Sequence, residues 1–111
     1  MVWYLLTDKY TDHWKVQSLH TSDGPGIPLF RDETKAQAFI EANWGLLGPG
    51  KEPMGLHEHH LADFLEKQAS EAGIQWVVYD PPPVTEAELF ATNQTVGILS
   101  ISAFVTLRSN V

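Results

Sequence analysis

The segment spanning residues 60–83 constrains the fold more than any other part of the chain. It reads HLADFLEKQASEAGIQWVVYDPPP. Its first half has apolar residues at the spacing of one helical face, namely Leu61, Phe64, Leu65, Ala69 and Ala72. Gly73 can adopt the left-handed conformation that ends a helix, and residues 74–79 are apolar enough for a buried strand before the prolines. Since such a helix buries its apolar stripe against a sheet, the segment predicts a helix packed on strands.

The other elements are predicted from capping residues and apolar patterns. Asp32 is a suitable N-cap for a helix that begins at Glu33 and ends at Gly45, and Thr85 with Glu88 matches a capping box. Helices are predicted at 33–44, 60–72 and 85–91. Strands are predicted at 2–6, 14–20, 27–30, 53–57, 74–79 and 98–107.

The predicted order of elements is βββαβαβ(α)β, with no internal repeat and no linker. The first strand, residues 2–6, is apolar on both faces, which is typical of a central strand. We therefore expect residues 1–111 to form a single α+β domain. Its sheet is expected to be mixed and mostly antiparallel, with five to six strands and the two main helices packed on one face.

Charge and composition exclude several classes of partner. Seven basic residues against fourteen acidic ones give a formal net charge of −7, and the basic residues are scattered singly. Nucleic acids and anionic membranes need clustered cations, so neither is expected as a partner. No apolar run approaches the roughly 20 residues that cross a bilayer.

The expected location is the cytoplasm. The chain has no cysteine, which fits a reducing compartment and excludes disulfides, thiolate metal sites and cysteine nucleophiles. The apolar start has no basic leader and reaches Thr7 and Asp8 too early for a signal peptide.

Two stretches resemble the SseB-like domain family. One is residues 28–36, PLFRDETKA, which is similar to the beginning of that family's first helix. The other is the spacing of Leu61, Phe64, Leu65 and Gly73, followed by a strand and an Asp-Pro turn at Asp80. The resemblance covers about residues 2–83. It implies an α+β fold and a regulatory or protein-binding role, with no catalytic residues to carry over.

A run of histidines is the most distinctive polar feature. In an extended backbone His57 and His59 point to the same side about 7 Å apart, a spacing that can chelate a divalent metal. In a helix His57 and His60 lie at i and i+3 instead. A third ligand would come from His13, His20 or Glu58. The alternative is that these histidines cap the helix or lie in solvent. No other cofactor is predicted.

No motif predicts a catalytic site. Asp8, Asp12 and Asp23 lie in or beside predicted turns, where aspartate bonds to the backbone, and their spacing fits no calcium loop. Ser18 and Ser22 lie near His20 but lack the motif of an activated nucleophile. The glycine-rich stretches match neither phosphate-binding pattern. An enzyme with an unrecognised site remains an alternative.

The main hypothesis is a non-catalytic protein-interaction or regulatory domain that binds a protein partner or a second copy of itself. Aromatic residues often anchor interfaces, and Trp44, Leu46 and Leu47 lie together on a glycine-flanked segment. The alternative is that they fold back over the first helix. The apolar final strand, residues 98–107, is a second candidate contact because an exposed edge strand can pair with a copy of itself.

Overall fold

The computed structural model of the chain describes residues 2–8, 16–21, 24–47, 50–85, 88–89 and 97–109. Its strands are β1 (Val2–Asp8), β2 (Leu19–Thr21), β3 (Gly24–Leu29), β4 (Lys51–His57), β5 (Trp76–Tyr79) and β6 (Gly97–Ser100). Its helices are α1 (Glu33–Ala42), α2 (Trp44–Leu47), α3 (Glu58–Ala72) and α4 (Ile101–Ser109). The α+β class is confirmed.

The described strands divide into two hydrogen-bonded sheets rather than one. One sheet pairs β1 with β4, and the other has the order β2-β3-β5-β6. Only β3 and β5 run parallel, so the predicted mixed and mostly antiparallel pairing is confirmed. A bridge connects the two sheets, because Tyr4 and Phe30 exchange backbone hydrogen bonds of 2.9 and 3.0 Å.

The strands separate two apolar cores. Neighbouring residues of one strand point to opposite faces of the sheet. In β1, Trp3 and Leu5 lie in the first core and Leu6 lies in the second. In β5, Val77 lies in the first core and Val78 in the second. The first core contains Trp3, Leu5, Ile27, Leu29, Leu61, Leu65, Ile74, Val77, Ile101 and Phe104. The second contains Leu6, Leu19, Phe30, Ala36, Phe39, Ile40, Leu47, Val78 and Leu89.

Helices α1 and α3 therefore lie on opposite faces of the strands. The buried residues of α1 belong to the second core, whereas Leu61 and Leu65 of α3 belong to the first. The prediction that both main helices pack on one face is wrong. The physical reason lies in β1, which is apolar on both sides and so needs a cover on each.

The predicted final strand is wrong beyond Ser100, where α4 begins. The Ser100 hydroxyl accepts a hydrogen bond of 3.0 Å from the N–H of Ala103, which is the geometry of an N-cap. Ile101 and Phe104, at i and i+3, are almost completely buried in the first core. The apolar residues of this segment thus fit a helical stripe as well as the alternation of a strand.

The capping predictions can be compared with the structure directly. The Asp32 side chain accepts from the N–H of Lys35 at 2.8 Å, and α3 ends at Gly73 with φ of 70°. The Thr85 hydroxyl accepts from the N–H of Glu88 at 3.2 Å, although most of the predicted helix 85–91 lies outside the described residues. Gly45 does not end the first helix, since α1 stops at Ala42 and Gly45 lies within α2. None of the described helices is long and apolar enough to span a membrane.

Candidate functional site

The break between α1 and α2 is made by a buried polar side chain, Asn43. Its Nδ2 donates to the carbonyl oxygens of Phe39 at 3.0 Å and Val84 at 2.9 Å. Asn43 is only 3% exposed, and its bond to Phe39 is buried while its bond to Val84 is partly buried. Asn43 thereby ties the end of α1 to the segment that follows the three prolines.

This arrangement holds Trp44 at the surface. The N–H of Leu47 donates to the carbonyl of Asn43 at 2.8 Å, and the Leu47 side chain is buried in the second core. Trp44, between these two buried residues, is 55% exposed, and it is the only exposed large hydrophobic side chain in the described part of the chain. An exposed indole on an anchored turn can enter a partner's pocket at little cost in backbone entropy.

The predicted interface residues Trp44 and Leu47 therefore differ in exposure. Trp44 is accessible, as an interface residue has to be. Leu47 is a core residue and cannot contribute to an exposed apolar patch. The side chain of Leu46 is outside the described atoms. The alternative of folding back onto the first helix thus holds for Leu47 and not for Trp44.

The outer face of α1, which leads to Trp44, carries two shallow concavities. One of about 390 Å³ is lined by Glu33, Thr34, Gln37, Ala38 and Glu41. The other, of about 290 Å³, lies between Thr34, Lys35 and Ala38 on α1 and the segment from Asp80 to Pro83. The small side chains of Thr34 and Ala38 border both concavities. The α1 surface is thus grooved, with acidic residues on the side of Glu33 and Glu41.

A polar network closes the end of the parallel strand pair. Asp80, directly after β5, has a left-handed backbone with φ of 46°, and its N–H donates to Leu29 at the end of β3 at 2.7 Å. Its carboxylate accepts from the Arg31 N–H at 3.0 Å and lies 3.4 Å from Lys35 Nζ. The Arg31 guanidinium donates through Nε to the Tyr79 hydroxyl and lies over the Tyr79 ring.

At Asp80 the sequence predicts only a turn and not this network. The available signal was that Arg31 and Asp80 each closely follow a strand, because parallel pairing brings such ends together. The Asp80 carboxylate has the Arg31 N–H and the Lys35 ammonium as partners, and the Arg31 guanidinium has Tyr79. The network therefore joins β5 to the start of α1, and it shapes one wall of the groove along the prolines.

The histidine cluster is exposed at the beginning of α3. The ring centroids of His57 and His59 are 5.5 Å apart, and those of His59 and His60 are 4.1 Å apart. His57 occupies the N-cap position, but its side chain makes no capping hydrogen bond. Within the described ranges, no three histidine, cysteine or acidic residues form a group that could hold a metal ion. The structure thus brings the three rings together without arranging them around a common point.

The remaining candidates do not form a site in the described part of the chain. Asp8 ends β1, where its carboxylate lies 3.9 Å from Lys51 Nζ. Asp12, Asp23 and His13, together with Ser22, are outside the described residues.

No protein-family model matches the chain, and no curated protein with a similar sequence was found. The resemblance to SseB-like domains therefore stays a prediction.

Proposed function

We propose that the chain is a non-catalytic, cytoplasmic protein-interaction or regulatory domain that binds its partner through Trp44. The observation that carries the proposal is the 55% exposure of this indole between two buried residues, Asn43 and Leu47. Tryptophan is among the residues enriched at binding hot spots.

Charge favours a particular kind of partner. Glu41 precedes Trp44 by three residues and is exposed, and Glu33 lies on the same grooved face of α1. The chain as a whole carries a formal charge of −7. A partner that offers an apolar pocket with a basic rim would match this surface, since complementary charges raise the association rate and exclude wrong partners.

In a second version of this proposal, the partner bound through Trp44 is another copy of the same chain, and the product is a homodimer. A symmetric contact through Trp44 would bring the Glu41 residues of both copies near one interface, which makes a different protein the better match. Light scattering over a range of protein concentrations distinguishes the two forms. A dimer that dissociates in Trp44→Ala but persists in the control Glu71→Ala, an exposed residue of α3, would identify self-association through this surface. A dimer that persists in both variants would contradict a Trp44-centred homodimer.

Metal binding is the second candidate function, and the 5.5 Å separation of the His57 and His59 rings is the observation in its favour. A ligand that binds only the folded state raises the melting temperature. We expect no such rise with zinc, because no described group of three ligands converges. A rise in Tm that is abolished by His59→Ala but retained in His20→Ala would establish a metal site at the cluster.

A further inference from the structure

A groove between α3 and α4 lies away from Trp44, next to the first core. Its volume is about 530 Å³, which is within the range of roughly 300–1,000 Å³ of small-molecule sites. Glu66, Ala69 and Ser70 of α3 face Ile101, Val105 and Thr106 of α4 across it, and Gln75, Ser100 and Ser102 complete the lining.

The α4 wall of the groove is fixed in place. The N–H of Ile101 donates to the carbonyl of Gln75 at 2.8 Å, and Ser100 caps the helix. The Ile101 side chain is 3% exposed and anchors α4 in the first core. A ligand would therefore meet a groove that already exists and would not have to order α4 on binding.

Two hydroxyl groups of the groove, those of Ser70 and Thr106, can act as hydrogen-bond acceptors. Ser70 uses its proton to donate to the carbonyl of Lys67 at 3.2 Å, and Thr106 donates to the carbonyl of Ser102 at 2.9 Å. Because each hydroxyl has a single proton, both oxygens can present only lone pairs to a bound molecule. At Ser70 and Thr106 the groove thus favours a donor of the ligand, although the Gln75 amide and the Ser100 and Ser102 hydroxyls can donate as well.

A single charge adds to this preference. Glu66 supplies the only ionised side chain among the described residues that line the groove, and it lies one helical turn before Ser70. Apolar surface from Ala69, Ile101 and Val105 accompanies it. Carboxylate and hydroxyl acceptors beside apolar surface complement an ammonium group on a hydrocarbon chain, since ammonium has three donors and no acceptor.

We propose that this groove binds an aliphatic primary amine. Its ammonium group contacts Glu66 and the Ser70 and Thr106 oxygens, and its methylene chain lies on Ala69, Ile101 and Val105. Anionic ligands are excluded by the carboxylate. The inference is independent of the proposed protein interaction, because Trp44 and Leu47 belong to the opposite side of the strands.

The test is a titration with 1,5-diaminopentane followed in amide NMR spectra, with 1,5-pentanediol as the uncharged control and sodium chloride at matched ionic strength. We expect saturable shifts at residues 66–70 and 101–106 with the diamine alone. Glu66→Gln should weaken binding about fivefold, as expected for a partly exposed charge-assisted contact. The matched control Glu71→Gln, exposed on the same helix but outside the groove, should leave the affinity unchanged.

Two results would overturn the proposal. One is the absence of saturable shifts in these residues at millimolar diamine. The other is an equal loss of affinity in Glu66→Gln and Glu71→Gln, which would reveal a diffuse attraction to the acidic surface. Spectra of both variants without ligand confirm that each retains the fold.

Discussion

Replacement of Asn43 by alanine tests how Trp44 is held at the surface. The side chain makes two hydrogen bonds, to the carbonyls of Phe39 and Val84, and is only 3% exposed. Each such bond contributes about 0.5–1.5 kcal/mol net. The Phe39 carbonyl keeps the backbone N–H of residue 43 as a donor at 3.1 Å, so it is not left unpaired. We therefore expect Asn43→Ala to lower the free energy of unfolding by about 1–3 kcal/mol.

Urea unfolding monitored by circular dichroism measures this loss, with an unchanged m-value as the sign that both states remain comparable. The control is Gln37→Ala, which removes an exposed amide from the same helix and should cost less than about 0.5 kcal/mol. If Asn43→Ala were as stable as Gln37→Ala, the two bonds would not hold α2 in place. Trp44 would then be exposed for some other reason than anchoring by its neighbours.

Further substitutions test neighbouring features, each by urea unfolding. Trp44→Ala should change the free energy of unfolding by less than about 1 kcal/mol, whereas Leu47→Ala should cost about 2–4 kcal/mol because Leu47 is in the core. A larger loss of stability in Trp44→Ala than in Leu47→Ala would place the indole in the core. Asp80→Ala should cost about 1–3 kcal/mol through backbone strain at φ of 46° and the lost acceptor for Arg31. Lys35→Ala should cost under about 0.5 kcal/mol, since the Lys35–Asp80 ion pair is exposed on the lysine side. An equal loss of stability in Asp80→Ala and Lys35→Ala would show that this ion pair dominates the contribution of Asp80. Ser100→Ala should cost about 1 kcal/mol as the lost N-cap of α4, and a neutral effect would argue against the cap.

Local sequence patterns were sufficient to predict the α+β fold class and the ends of several helices. Gly73 ends α3 and Asp32 caps α1, because capping depends on residues within one turn. The helix 60–72 was recognised with its buried face, although Ala72 is exposed and α3 begins at Glu58. These features depend on short-range chemistry, which a single sequence carries in full.

Long-range placement could not be obtained in the same way. Both main helices have one apolar stripe, and nothing in a stripe specifies which face of the strands it covers. The apolar character of β1 on both sides was the available indication that each face needs a helix. The alternation after Ser100 was compatible with strand and helix alike, and the burial of Ile101 and Phe104 decides for the helix.

The candidate site was predicted in part. Trp44 is exposed, as its predicted role requires, and the role itself stays a prediction. Its separation from Leu47 depends on a helix break at Asn43, whose side chain bonds to Val84, 41 residues further on. The Arg31–Asp80 contact likewise joins residues that are 49 positions apart. Contacts of this kind depend on how distant segments pack and leave no local pattern.

Site-specific photo-crosslinking is the most direct test of the claim that Trp44 binds a protein. A photoreactive phenylalanine analogue is placed at position 45, next to Trp44, where an added side chain meets open space, and, as the control, at position 71, an exposed site on α3. We expect a discrete crosslinked protein species from position 45 in the cells that produce the chain, and none from position 71. The species should be lost in Trp44→Ala and when Glu33 and Glu41 are both changed to lysine. Equal crosslinking from both positions, or none from position 45, would contradict the proposal.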